Sequence, residues 1–336
     1  MSKFISICIP SYNRPSELLR LLQSIDCEPE EVEIIICEDC APKRLEVRDA
    51  VQKFRSNSKY EVRYIENETN CGYDKNLRNC INNATGDWII YMGDDDMFIK
   101  GRLSPFIDFL KTLKKEKYVL RSYQAIHANG SVEKFQYFEN IKYFEAGYDA
   151  YVTLFRKSVF ISGFTFKREN AISTLTDRFD GTLLYQLYIL AEICINYPSV
   201  YYNIPFTQSI DGGIPYFGNS ASEKELYTPG TITVGNSVAF MKNFFVITQY
   251  IDKKYNMNST SFIKKDISKY SYPILSIQRK KGRKDFKEYS RQLKEIGLNC
   301  SFYYEFYYCM LYIFGEGFCD WGIRTIKKIL GRTPQL

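Results

Sequence analysis

The sequence predicts an α/β fold: a mostly parallel sheet with helices on both faces, followed by a helical, basic and aromatic C-terminal region. Three observations predict it. Strand-like and helix-like segments alternate through the first hundred residues. The strand-like runs are apolar almost throughout, as expected for strands covered on both faces. The last third loses this alternation and becomes helical, basic and rich in aromatics.

FISICIP (4–10) is a short apolar strand. SELLRLLQSI (16–25) is a helix, with Leu18, Leu21, Leu22 and Ile25 on one face, Ser16 as cap and Pro15 at its start. VEIIIC (32–37) is a second buried strand, RLEVRDAVQKFRS a helix, and YEVRYIEN an alternating strand. YDKNLRNCINNA (73–84) reads as a helix and GDWIIYMG as the next strand. KYVLRSYQAIHANGSV predicts a hairpin turning at Asn129 and Gly130. TDRFDGTLLYQLYILAEI enters a helix near Thr182. The Gly-, Ser- and Pro-rich stretch from Asp211 to Gly230 reads as a mobile substrate loop. The expected organisation is therefore a catalytic domain over 1–210, the loop over 211–230 and a helical region over 231–336.

Composition narrows the function. The chain has 336 residues, is 45% hydrophobic and carries a net charge of +6, enough for a substantial core and too modest to single out nucleic acid as a partner. The start shows no signal-peptide pattern, so the ten irregularly spaced cysteines are read as reduced, cytosolic thiols. CEDC (37–40) is an isolated C-x-x-C and His127 is the only histidine, so zinc is not expected. The usual glycine-rich phosphate cradles are missing. FYYEFYYCMLYIF (302–314) is too short to span a bilayer. The following WGIRTIKKILG mixes apolar residues with Arg324, Lys327 and Lys328, the pattern of a helix lying on an anionic membrane surface.

Ligands of open α/β sheets bind at the carboxyl ends of the strands. Those ends here read PSYNR, EDC and GDDD. Three adjacent carboxylates, Asp94, Asp95 and Asp96, repel one another unless a cation sits among them. Hard oxygen ligands suit Mn²⁺ or Mg²⁺, which are commonly completed by substrate phosphates. The acidic turn thus predicts a phosphate-bearing ligand.

ISICIPSYNRPSELLRLLQSI, VEIIICEDC and NETNCGYDKNLRNCINNATGDWIIYMGDDD, in this order and spacing, resemble family two glycosyltransferases of the GT-A fold. The resemblance is closest to the bacterial group that builds O-antigen and capsule repeats, including abequosyltransferase-like enzymes. It covers about the first 110 residues, with weaker similarity to about residue 210. It implies a nucleotide-sugar donor, a divalent metal and inversion at the anomeric carbon. By position it places Pro10, Tyr12 and Arg14 in the nucleotide pocket and one of Glu38 and Asp39 on base and ribose. It puts Asn70, Gly72, Lys75 and Arg78 near the nucleotide. Asp94 and Asp95 fall on the donor and Asp94 and Asp96 on the metal, as a D-x-D in which Gly93 replaces the first Asp of the commoner LDADD. The family's base is a carboxylate, often in an ED pair that this chain lacks; TDRFDGT offers Asp180, with Asp177 as fallback. The implied acceptor is a lipid-linked oligosaccharide, used at the inner face of the bacterial cytoplasmic membrane. A sugar-phosphate nucleotidyltransferase is an alternative, against which the missing glycine-rich loop after the first strand counts. A catalytically inactive nucleotide-sugar- or glycan-binding protein is another.

Overall fold

The computed structural model describes residues 3–330. The chain divides into two units, Met1–Glu225 and Leu226–Leu336.

The first unit opens with β1 (Ile5–Ser11), α1 (Pro15–Gln23), β2 (Val32–Glu38), α2 (Arg44–Ser56), β3 (Glu61–Glu66), α3 (Tyr73–Asn83) and β4 (Trp88–Tyr91). β1 pairs in parallel with β2 on one side and β4 on the other, and β2 pairs in parallel with β3. The order β3-β2-β1-β4 changes direction at β1, which opens a crevice beyond the carboxyl ends of β1 and β4. Side-chain alternation builds the layers. Ile5, Ile7 and Ile9 of β1 share a core with Val32, Ile34 and Ile36 of β2, Leu18, Leu21 and Leu22 of α1, and Val47 and Val51 of α2. Each of these, fully buried, contributes about 1.5–3 kcal/mol. Cys8, between them in sequence, faces the other way, its thiol 3.8 Å from the Cys80 carbonyl on α3. Cys8, Cys37 and Cys80 are all free thiols sealed in this layer. Gly86 leads into β4 so close to β1 that a Cβ there would lie 2.6 Å from the Ser6 backbone nitrogen.

The unit continues with β5 (Met97–Phe98), α4 (Leu103–Thr112), β6 (Tyr118–Ile126), β7 (Val132–Phe135), β8 (Lys142–Phe144), α5 (Tyr148–Phe155), β9 (Phe164–Lys167), α6 (Arg168–Ile172), α7 (Tyr185–Asn196) and β10 (Ser199–Ile210). The sheet extends from β4 through β9, β6 and β10 to β5. β9 runs antiparallel to both β4 and β6, whereas β10 is parallel to β6. The hairpin at Asn129 and Gly130 forms as expected, β6 pairing antiparallel with β7.

Two local expectations are corrected. Ser16 does not cap α1; Arg14 is the N-cap residue, and the Ser16 hydroxyl donates to Glu17. The helix expected near Thr182 begins at Tyr185, because Leu183 adopts a left-handed φ of 61° that no helix continues through.

The second unit is helical: α8 (Val234–Tyr255), α9 (Ser259–Lys269), α10 (Tyr272–Arg279), α11 (Arg283–Glu295) and α12 (Phe302–Leu330). The Thr233 hydroxyl caps α8 by accepting the Asn236 N–H at 3.0 Å. α12 is broken at Gly315, whose φ is 78°. It buries Tyr304, Leu311 and Cys319 and exposes Phe302, Phe306, Ile313, Phe314, Phe318 and Trp321. Among the described residues no helix is long and apolar enough to cross a membrane. The side chains of Arg324, Lys327 and Lys328 lie outside the described residues.

Candidate active site

The parallel strands bring their carboxyl ends to one rim, and the polar residues that follow them meet there. After β1 the chain turns through Asn13, whose φ is 63°, and projects Tyr12 and Arg14 toward the turn after β4. The Tyr12 N–H donates to Asp94 Oδ2 at 2.9 Å, and Arg14 Nη1 donates to Asp94 Oδ1 at 2.9 Å. Arg14 Nη2 lies 3.1 Å from Asp95 Oδ2. The crevice between β1 and β4 is thus bridged by one carboxylate and one guanidinium. Arg14 answers the repulsion among the three aspartates in this structure.

Asp96 accepts from the Ser162 hydroxyl, which itself accepts the Gly93 N–H at 2.9 Å. Ser162 sits just before β9, in a loop whose carbonyls at Ser162 and Phe160 accept from the buried Arg121 guanidinium. Burial pushes Asp94 up to about 6, against the lowering effect of Arg14, and pushes Asp96 up to about 7, helped by the neighbouring Asp95 charge. Asp95 is the most exposed of the three.

The turn after β2 is committed to its own architecture. Glu38 accepts from the Ala41 and Cys40 N–H groups at 2.6 and 3.1 Å and from Arg44. Asp39 accepts the Cys71 and Gly72 N–H groups at 2.8 and 2.9 Å and the Asn67 amide at 2.9 Å. It therefore shapes the loop from 67 to 72, where Asn70 Oδ1 also accepts the Gly72 N–H at 3.1 Å. Gly72 caps α3 with φ 85°. A Cβ there would sit 2.6 Å from Ser220 Oγ. Pro10 lies within β1, in register with Cys37. Lys75 is exposed on α3.

α3 carries two groups that organise the turn before α7. Arg78 forms a two-pronged ion pair with Asp180, with Nη2 2.7 Å from Oδ2, and lies 5.0 Å over the Tyr185 ring. Asp74 Oδ1 accepts the Tyr185 N–H at 3.0 Å and Oδ2 the Leu183 N–H at 2.9 Å. The carboxylate at the start of α7 is therefore Asp74, not Asp180, which stands in the preceding turn. Burial pushes Asp74 up to about 7, although both backbone bonds lower it. Asp177 is exposed.

The segment after β10 is fastened at three points. Its Ile214 carbonyl accepts from Arg14 Nη2 at 2.7 Å, and Tyr216 meets Tyr12 edge-on at 5.9 Å. Farther on, the buried Glu223 accepts the Tyr73 N–H and the Gly218 N–H, each at 2.8 Å. At the root of this segment His127 bridges Asp211 and Glu133 at 2.8 and 3.1 Å. The bond to Asp211 chiefly raises its pKa.

Sequence reasoning missed Asp74, Ser162, Arg121 and Glu223. Only Asp74 had a signal, an acidic residue in the first turn of a predicted helix, and that signal pointed to its own helix. No cluster of three or more His, Cys, Asp or Glu side chains among the described residues is arranged to hold a metal ion. The hard carboxylate oxygens of the acidic turn nevertheless suit Mn²⁺ or Mg²⁺, which need only one or two carboxylates when a diphosphate completes the shell.

The profile of Glycosyl transferase family 2 matches residues 6–175, just over half of the chain. The chain belongs to this family. An uncharacterized glycosyltransferase of Haemophilus influenzae is 33% identical to this family 2 glycosyltransferase over 96 residues, 28% of this chain and 30% of that protein. Abequosyltransferase RfbV of Salmonella typhimurium is 32% identical over 103 residues, 30% of each chain. The family 2 chain thus matches less than a third of the length of these relatives. Its fold resembles S. aureus TarS 1-349, whose crystal structure in complex with UDP-GlcNAc gives a TM-score of 0.56 at 14% identity. That comparison covers 95% of this chain and 92% of the other. The complex of TarS 1-349 with UDP gives 0.51 at 13% identity, covering 95% and 91%. These likenesses support the GT-A fold of this family 2 chain.

Proposed function

We propose that this family 2 glycosyltransferase moves a sugar, with inversion, from a nucleotide-sugar donor to a lipid-linked oligosaccharide in bacterial O-antigen or capsule synthesis. The observation that carries the donor half is the crevice between β1 and β4, where Tyr12, Arg14 and Asp94 meet. The matches to RfbV and to the UDP-bound TarS structures support a sugar nucleotide there.

In this reading the acceptor hydroxyl attacks the anomeric carbon as its bond to the diphosphate oxygen breaks. Asp180 takes the hydroxyl proton. Each Asp180 oxygen accepts one Arg78 N–H, leaving a second lone pair for the hydroxyl. Arg78 fixes the direction of that lone pair and Asp74 fixes the turn that carries Asp180; Asp177 is the second choice of base. Tyr12, Asn70 and Gly72 border the nucleotide, and Asp39 holds their loop in shape. Asp94 and Asp96 would hold Mn²⁺ or Mg²⁺, with Asp95 toward the donor. The metal, when bound, neutralises charge on the departing diphosphate.

The acceptor half rests on the second unit. Residues 226–336 hold 18 Lys and Arg against 8 Asp and Glu, whereas residues 1–225 hold 27 against 31. With the exposed aromatic ridge of α12, this supports contact with an anionic membrane surface; in this reading the enzyme works peripherally on the inner face of the cytoplasmic membrane.

The test is calorimetric titration of UDP, GDP, CDP and dTDP with Mn²⁺, with Mg²⁺ and with chelator. Binding of one nucleotide, strengthened by metal and weakened by Asp96→Ala, is expected. Binding untouched by metal and by all three aspartate-to-alanine changes would refute the reading of the acidic turn.

A further inference from the structure

Arg14 touches two things at once. Its guanidinium faces the carboxylates of Asp94 and Asp95 at 2.9 and 3.1 Å. The same group donates to the Ile214 carbonyl at 2.7 Å and lies 5.1 Å over the Tyr216 ring. Gly213 passes so near that a Cβ there would come within 3.1 Å of Asp95 Oδ2. The segment from 211 to 216 therefore lies down on the acidic turn, and one side chain joins the two. Arg20, a second nearby cation, donates to the Asp95 carbonyl and not to its carboxylate, so it does not duplicate this link.

We propose that Arg14 is a cationic latch. It fills the cation position at Asp94 and Asp95 and pins the 211–216 segment over the acidic turn. A divalent cation arriving with a diphosphate displaces it. Two charges at short range outcompete one delocalised charge for the same carboxylate. The Ile214 carbonyl and the Tyr216 ring both lose the guanidinium at once, while Tyr216 keeps its edge-on contact with Tyr12 at 5.9 Å. Both ends stay tethered, since His127 still holds Asp211 and Glu223 still bonds Tyr73 and Gly218. The segment therefore lifts between its two remaining anchors without detaching. Arg14 is thus a positioning residue that couples the cation site to the segment above it. This inference rests on the metal reading of Asp94 and Asp96 given above.

The test uses the full chain and two readouts. Free Mn²⁺ is measured by electron paramagnetic resonance, with and without inorganic pyrophosphate, for the wild type, Arg14→Gln and Asp94→Asn. Hydrogen exchange is followed over 211–217. Arg14→Gln is expected to bind Mn²⁺ alone roughly fivefold more tightly than the wild type and to exchange faster over 211–217 without metal. Mn²⁺ with pyrophosphate is expected to speed that exchange in the wild type and to add nothing in Arg14→Gln. Arg14→Lys keeps the charge without the fork, so it is expected to hold metal affinity near wild type while loosening the segment. If Asp94→Asn abolishes Mn²⁺ binding but Arg14→Gln binds no better than the wild type, the metal site stands and the latch is wrong. If none of the chains binds Mn²⁺ even with pyrophosphate, the metal reading and the latch fall together. If exchange over 211–217 ignores both Arg14 substitutions, the coupling is refuted whatever the metal affinity.

Discussion

Asp74 shows how a buried carboxylate ties stability to pH. Its folded pKa is raised from 3.8 to about 7 by burial. Between these values the folded state binds more protons than the unfolded one. The stability linked to protonation is therefore complete below about 3.8 and is lost as pH rises toward 7. The full shift corresponds to roughly 4 kcal/mol. Asp74→Asn, which keeps an acceptor for one of the Leu183 and Tyr185 N–H groups and loses the other, is expected to lower the melting temperature overall and to flatten its decline between about pH 4 and 7; scanning calorimetry across that range checks it. Asp180→Asn is expected to lower kcat by about 10²–10⁴ with little change in donor KM. A larger loss from Asp177→Asn would move the base to that residue. At this scale the sequence revealed the groups that follow strands, because a parallel sheet sends every such group to one rim. It could not reveal Asp74 over α7 or Glu223 over α3. Those partners stand 111 and 150 residues apart, and no local pattern encodes a bond across that distance.

The elements themselves were more legible where their signal is local. α2 has the bounds its amphipathic pattern implied, and α3 differs from its predicted span only at the last residue. β9 was not foreseen. It is four residues long and sits antiparallel between β4 and β6, too short to show a period against its loop-like surroundings. α7 starts late because the left-handed Leu183 depends on a cap from another helix. Gly72 is one place where two segments meet tightly. Its left-handed φ and the nearby Ser220 and Glu223 side chains leave no room for a methyl group. Gly72→Ala is expected to cost about 1–3 kcal/mol and to free the 218–223 stretch. Urea unfolding and limited proteolysis at that stretch are the checks; an unchanged midpoint with unchanged cleavage would show that the anchor is looser than drawn.

For the molecule as a whole, charge and aromatic exposure divide along the same boundary as the two units. The basic unit bears the ridge of Phe302, Phe306, Phe314, Phe318 and Trp321. Cosedimentation with vesicles rich in anionic lipid is expected, and with neutral vesicles only weakly. Phe318→Ser with Trp321→Ser should lower the bound fraction severalfold at constant charge, since each ring carries its own apolar contribution. Equal binding of the double variant would mean that charge alone, or another surface, holds the protein to lipid. The change of composition along the chain was visible in the sequence, whereas the face that α12 presents was not, because its first half is apolar on nearly every side. The cysteines add a practical corollary. Cys8, Cys37, Cys80, Cys194 and Cys319 are shut inside, Cys27, Cys40 and Cys71 are half-buried, and Cys300 and Cys309 lie open beside or on α12. A maleimide fluorophore should therefore mark that helix first in the folded protein. Its emission colour would then report, without any engineered residue, when the aromatic ridge leaves water.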